Sequence, residues 1–282
     1  ECRDTLLPSS CADIKKQGLC SEEVPMCNKT CGYCSQDTDQ LPTTREKKCP
    51  ICGKANEQYF RNWNNRMARV PELNHKYPWL VFIQSVIEGM TYNCGGQIIN
   101  SRWVLTAAHC FYDGSDAGCN YIKKAEVHVG LHRTDFNDGI LGVTRIIQVK
   151  DFIKHPGYQC GISHNDDIGL LGLEEDLDLF STFQSKGIGA ICLPKDDEGW
   201  FEGEDAVAAG WGVTASKRSK NFADKPFEVT RRIQRKFCSN YRSSWITDNM
   251  ICAESASVYK IQCTGDSGGP LIVKNENDTY VL

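Results

Sequence analysis

An imidazole, a carboxylate and a hydroxyl stand far apart along the chain. His109 lies in Thr106-Ala-Ala-His109-Cys110, Asp167 in Asn165-Asp-Asp167-Ile-Gly-Leu-Leu171, and Ser267 in Cys263-Thr-Gly-Asp-Ser267-Gly-Gly-Pro270. A serine hydroxyl is a weak nucleophile until a neighbouring base takes its proton. A histidine can take that proton and later return it to a leaving group. A carboxylate behind the imidazole orients it for both steps. Each segment alone has a plainer reading: a histidine flanking a disulfide, a surface Asp-Asp pair, a Gly-Asp-Ser-Gly turn. No turn or core requirement explains all three in one chain.

These side chains need a scaffold that brings distant segments together. From Pro78 onward, short apolar or alternating runs recur at 80–83, 97–99, 103–106, 126–129, 143–149, 206–209 and 271–273, separated by Gly, Asn and Asp clusters. No long stretch keeps a 3.6-residue period, so the pattern predicts an all-β barrel or sandwich. His75, His128, His132, His155 and His164 lack a comparable context and read as ordinary residues.

The three segments, in the order His, Asp, Ser and with Gly210-Trp211-Gly212 between them, resemble the chymotrypsin-like (trypsin-family) serine proteases from about Met67 to the end. Other serine hydrolases order these residues differently. The resemblance implies two antiparallel six-stranded β-barrels, the second incomplete, over residues 67–282. It implies a secreted serine endopeptidase, made as a zymogen, that cleaves protein or peptide substrates through an acyl-enzyme and needs no cofactor and no metal. His109 would be the general base, Asp167 its orienting partner and Ser267 the nucleophile, the roles of this family's well-known triad. Asp167 is preferred to Asp166 because the family aspartate directly precedes an aliphatic pair. The backbone N–H groups of Gly265 and Ser267 would form the oxyanion hole.

The 282 residues carry 16 cysteines, eight of them within residues 1–52. Cysteine at this density argues for an oxidising compartment, hence a secreted protein. Cys31-Gly-Tyr-Cys34 and Cys49-Pro-Ile-Cys52 could be read together as a four-cysteine zinc site, but four more cysteines in the first 27 residues would then have no role. Net charge is −4, which provides no basic field for nucleic acid. The apolar runs are too short to span a membrane. The opening Glu1-Cys2-Arg3-Asp4 lacks a basic start and an apolar run, and reads as a processed terminus. Asn28-Lys-Thr30 and Asn277-Asp-Thr279 fit the N-glycosylation pattern.

Residues 2–34 hold six cysteines in a stretch too short to fold on an apolar core. Fifteen pairings are open from sequence alone. The ending Cys27-Asn-Lys-Thr-Cys31-Gly-Tyr-Cys34, with Asp4-Thr5 near the start, resembles the ShK (sea-anemone toxin-like) domain. That resemblance implies the pairs Cys2–Cys34, Cys11–Cys27 and Cys20–Cys31, and an extracellular target for the module. Channel-blocking relatives present Lys-Tyr where Ser21-Glu22 stands here, and a potassium pore requires a cation. Residues 35–66 are polar and without apolar periodicity, so they read as a linker or propeptide.

The protease resemblance pairs Cys94 with Cys110 and Cys238 with Cys252. It pairs Cys192 with Cys52 as a tether holding the N-terminal part after activation. Cys119 and Cys160 would then pair with each other, leaving Cys49 and Cys263 unassigned. A further family bridge falls on Ala206 and Val273, neither of which is cysteine. Activation would cut after Arg66, freeing Met67 to pair with Asp266 through an activating protease. Ile261 stands where trypsin-like members carry an aspartate, which implies apolar substrate side chains. Family members continue beyond the 15 residues that follow Ser267 here, so the chain reads as a fragment. The rival readings are an inactive protease homologue that binds or regulates, and an ShK-type channel-binding module. The cluster Arg231-Arg232-Ile-Gln-Arg235-Lys236 reads as a solvated loop or helix face.

Overall fold

The computed structural model describes residues 52–56, 70–71, 75–87, 90–113, 120–121, 124–136, 139, 143–160, 164–179, 187–195, 199–213, 222–234, 238, 241–242, 245–254 and 266–282. The expectations for the ShK-like module, for Asn28, Cys49, Arg66, Met67, Cys119, Ile261, Cys263 and Gly265 lie outside them.

Fourteen strands are described: β1 (Val70–Pro71), β2 (Leu80–Ile87), β3 (Met90–Ile98), β4 (Trp103–Thr106), β5 (Tyr112–Asp113), β6 (Asn120–Tyr121), β7 (Ala125–Val129), β8 (Arg145–Lys154), β9 (Gly169–Leu173), β10 (Asp205–Gly210), β11 (Phe227–Gln234), β12 (Cys252–Glu254), β13 (Leu271–Lys274) and β14 (Tyr280–Val281). Strands β2, β3, β4, β9, β8 and β7 close into a barrel in that order. Every ladder between named strands is antiparallel. The barrel interior is filled by side chains such as Val81, Ile83, Ile98, Val104, Val127, Ile147 and Leu171, all at most 2% exposed. Close-packed walls of this kind hold the loops at the barrel end in fixed positions.

The second unit is a six-stranded sheet, open among the described residues, in the order β1-β11-β10-β13-β14 with β12 also on β11. The expected second barrel is therefore met by a sheet of six strands. Beyond β13, the N–H groups of Tyr280 and Leu282 in and after β14 donate to Gly53 (2.8 Å) and Cys192 (2.9 Å). The Cys52–Cys192 disulfide fastens these two segments to each other. Gly53 sits at φ +66°, and a Cβ there would lie 2.2 Å from the Tyr280 carbonyl, so only glycine lets the segment approach so closely.

The basic cluster differs from its sequence reading. Residues 231–234 belong to β11, where alternate side chains face opposite sides. Arg231 and Ile233 turn inward, at 7% and 2% exposure. Arg232 turns outward and donates to Asp205, its partner across the β10–β11 ladder, at 3.1 Å. The charges disguise a strand whose inward face carries an arginine.

Candidate active site

One ladder brings two of the candidate residues to the same end of the barrel. β4 and β9 pair antiparallel with Thr106 opposite Gly169. The chain leaves β4 through Ala107 into a short 3-10 turn, Ala108–Phe111, which carries His109. Asp167 lies two residues before Gly169, where β9 begins. A residue three beyond the end of one strand and a residue two before the start of its neighbour thus meet, although 58 positions separate them. Ala108, Cys110 and Phe111 are buried beneath the turn, and the Cys94–Cys110 disulfide ties it to β3.

Asp167 clasps His109 at two points. Its Oδ1 accepts the His109 backbone N–H at 2.8 Å, and its Oδ2 lies 2.6 Å from the ring Nδ1. An ionised carboxylate only accepts, so Nδ1 carries the proton and the Nε2 lone pair is left available as a base. Burial by itself would raise the Asp167 carboxyl. The hydrogen bond from the His109 ring, the attraction of that ring and the backbone N–H together outweigh burial and hold the carboxyl below its ordinary range. Asp166 faces elsewhere. It adopts φ +55° and accepts from Asn165 and Asn249, each at 2.8 Å, with His155 Nδ1 at 3.8 Å.

The Ser267 backbone is held against the same end of the barrel. Its carbonyl accepts the Gly95 N–H of β3 at 2.8 Å, and Cys110 Sγ lies 3.8 Å from that oxygen. Thr106 Oγ1 donates to the Gly95 carbonyl at 2.8 Å. Gly268 follows at φ +76°, and a Cβ there would lie 2.1 Å from Thr106 Oγ1 and 2.6 Å from the Gly95 oxygen. Thr106, Gly95 and Gly268 therefore form a seam that seats Ser267 beside the His109 turn. The sequence reading missed Gly95 and the role of Thr106, although Thr106 opens the histidine segment.

Asp266 is 5% exposed and accepts the Gly212 N–H at 2.7 Å. Added Cβ atoms at Gly210 and Gly212 would lie 2.6 and 2.3 Å from its carboxylate group. The Gly-Trp-Gly segment thus makes a wall without side chains around that carboxylate. Trp211, between the glycines, donates its ring N–H to the His132 carbonyl at 2.9 Å. Cys238 and Cys252 are bonded. Cys160 is also in a disulfide.

His164, read from the sequence as ordinary, stands next to this site. Its exposed ring lies 6.2 Å from the His109 ring, centroid to centroid, and nearly perpendicular to it. It also acts electrostatically on Asp167. The signal available in the sequence was its place three residues before Asp167.

The family model described as Trypsin matches residues 69–281. The chain belongs to the trypsin family. It is accordingly a serine-type endopeptidase, a hydrolase of peptide bonds. Granzyme M of Rattus norvegicus is 31% identical over 202 residues, covering 70% of each chain. Urokinase-type plasminogen activator of Gallus gallus is 29% identical over 260 residues, 89% of this chain and 56% of the relative. Transmembrane protease serine 5 of Homo sapiens is 29% identical over 209 residues, 73% of this chain and 42% of the relative. This trypsin-family chain thus spans about half the length of the last two. Among the described residues, no helix is long and apolar enough to cross a membrane.

Proposed function

We propose that peptide-bond hydrolysis runs through Ser267, His109 and Asp167 by an acyl-enzyme route. His109 Nε2 takes the Ser267 hydroxyl proton as Oγ attacks the scissile carbonyl carbon. The resulting oxyanion is held by the N–H groups of Gly265 and Ser267. The tetrahedral adduct collapses, the C–N bond breaks, and the imidazolium gives its proton to the leaving amine. Water then enters by the same route in reverse and frees the acid and Ser267. Asp167 keeps the imidazole oriented and stabilises its cation. The observation that carries this reading is the double clasp of Asp167 on His109, next to a Ser267 backbone fixed by β3.

The same reading extends to regulation and location. Cleavage after Arg66 by an activating protease frees the Met67 ammonium for the buried Asp266 carboxylate, so the chain is made as a zymogen. The Cys52–Cys192 disulfide keeps the N-terminal part attached after that cut. Ile261 favours apolar substrate side chains, since a buried cation would find no counter-charge there. The disulfides support secretion. The ShK-like residues 2–34 serve as an accessory module that engages an extracellular target.

The test is to process the full chain at Arg66 and expose it to a fluorophosphonate probe, mapping the label by mass spectrometry. Label on Ser267 is expected, with its rate lowered about 10²–10⁴-fold in His109→Ala. Processed wild type that stays unlabelled, or a His109→Ala variant that labels as fast as wild type, overturns the reading.

A further inference from the structure

We propose that His164 and His109 together form a zinc-binding site through which Zn²⁺ reversibly blocks the protease. The inference rests on the assignment of His109 as the general base. It begins with the turn that carries His164. Thr247 donates its hydroxyl to the Asn165 side-chain oxygen, and Asn249 Nδ2 donates to Asp166 at 2.8 Å. The Ile168 N–H closes back on the Asp166 carbonyl at 2.8 Å. This turn is therefore braced from the 247–249 segment on one side and runs into β9 on the other. It holds the exposed His164 ring against the His109 ring. One donor atom from each of His109, His164 and Asp167 lies within 4.8 Å of the others.

The donor chemistry selects how a metal would sit. Both Asp167 oxygens already serve His109, one on the backbone N–H and one on the ring Nδ1. Asp167 is thus the carboxylate behind a metal-bound imidazole, which fixes the tautomer and raises the basicity of Nε2 as a ligand. His109 Nε2 supplies one lone pair and a ring nitrogen of His164 the second. Water completes the shell. Cys94 and Cys110 also lie near His109, but their disulfide leaves no thiolate to bind. Two imidazoles suit zinc far better than magnesium or calcium, which take oxygen ligands. With Zn–N bonds of ~2.0–2.1 Å in tetrahedral geometry, ligand atoms stand about 3.3 Å apart. Side-chain rotation of the exposed His164 supplies the approach. A metal so placed occupies the lone pair that must accept the Ser267 proton. Inhibition then needs no covalent change and is undone by a chelator.

The experiment uses the full chain processed at Arg66, as wild type, His164→Ala and His164→Gln. Zinc binding is read by isothermal titration calorimetry, and Ser267 reactivity by the rate of fluorophosphonate labelling. Wild type is expected to bind zinc at a calorimetric site that both variants lack, and to label at least about tenfold more slowly when saturated. EDTA is expected to restore the rate, and Mg²⁺ to leave it unchanged. In both variants the zinc concentration for half-slowing is expected to rise by about 10–100-fold, the range for loss of a metal-supporting residue. Identical calorimetric titrations for wild type and both variants overturn the site. Zinc binding that depends on His164 but does not slow labelling overturns the inhibitory role. Absence of any label without metal counts against the triad assignment, while calorimetry still decides the zinc site.

Discussion

Replacing Gly268 by alanine is expected to damage stability and nucleophile reactivity together, because one methyl group meets the seam that seats Ser267. Gly268 lies at φ +76°, where a side chain costs roughly 1–2 kcal/mol in the left-handed region. The new Cβ would lie 2.1 Å from Thr106 Oγ1, 2.6 Å from the Gly95 oxygen and 3.0 Å from the Ala107 nitrogen. Two of these are backbone atoms of β3 and of the turn leading to His109, so they cannot swing aside. Thr106 Oγ1 can, but only by giving up its buried bond to the Gly95 carbonyl. Leaving that carbonyl without this donor costs about 1–3 kcal/mol, for a combined loss of about 2–5 kcal/mol. Movement of Ser267 adds a kinetic penalty, since about 1 Å of misplacement can cost 10²-fold in rate. Urea unfolding followed by tryptophan fluorescence measures the first quantity, and fluorophosphonate labelling measures the second. Thr106→Ala removes the nearest clashing atom, so the double variant is expected to lose less than the sum of the single changes. A Gly268→Ala protein that unfolds within about 0.5 kcal/mol of wild type and labels at the wild-type rate would refute the seam.

Two further expectations follow from the buried groups. His128 lies between the Phe82 and Phe136 rings, and burial pushes its imidazole below the ordinary value of 6.5 against the opposing pull of Glu126. The folded state therefore binds fewer protons than the unfolded chain below about pH 6.5, so stability falls on acidification through that range. His128→Gln is expected to flatten this acid limb in melts taken between about pH 7 and pH 5, and an unchanged slope would reject the assignment. Ala206 and Val273 face each other across the β10–β13 ladder and share a buried cluster with Ile233. Ala206→Cys with Val273→Cys is expected to oxidise spontaneously and raise stability by up to about 4 kcal/mol for a loop of roughly 67 residues. Equal urea midpoints with and without reductant would show that the pair does not bridge.

The strands of the closed barrel were largely legible because their apolar runs are short and bounded by turn residues. β9 was harder to see. All five of its residues are buried, so it has no polar alternation, and it reads as an appendage of the Asp167 segment. β11 was hidden for the opposite reason. Its inward face carries Arg231, so a strand with one buried charge looks like a solvated basic patch. Period-2 patterning reports a strand only when its two faces differ in polarity in the usual way.

Residue types in order supplied the chemistry: a base, a carboxylate and a hydroxyl, with glycines beside the hydroxyl. Those identities are local, and they hold whatever the surroundings. Which of two adjacent carboxylates meets the histidine is not local. Asp166 and Asp167 differ by one position, yet one clasps His109 and the other turns to Asn249. The nearness of His164 to that histidine is likewise invisible in the chain's order. Both depend on the pairing of Thr106 with Gly169, which sets where the two turns end in space. Register is a property of two distant strands packed together, and only the tertiary structure could decide it.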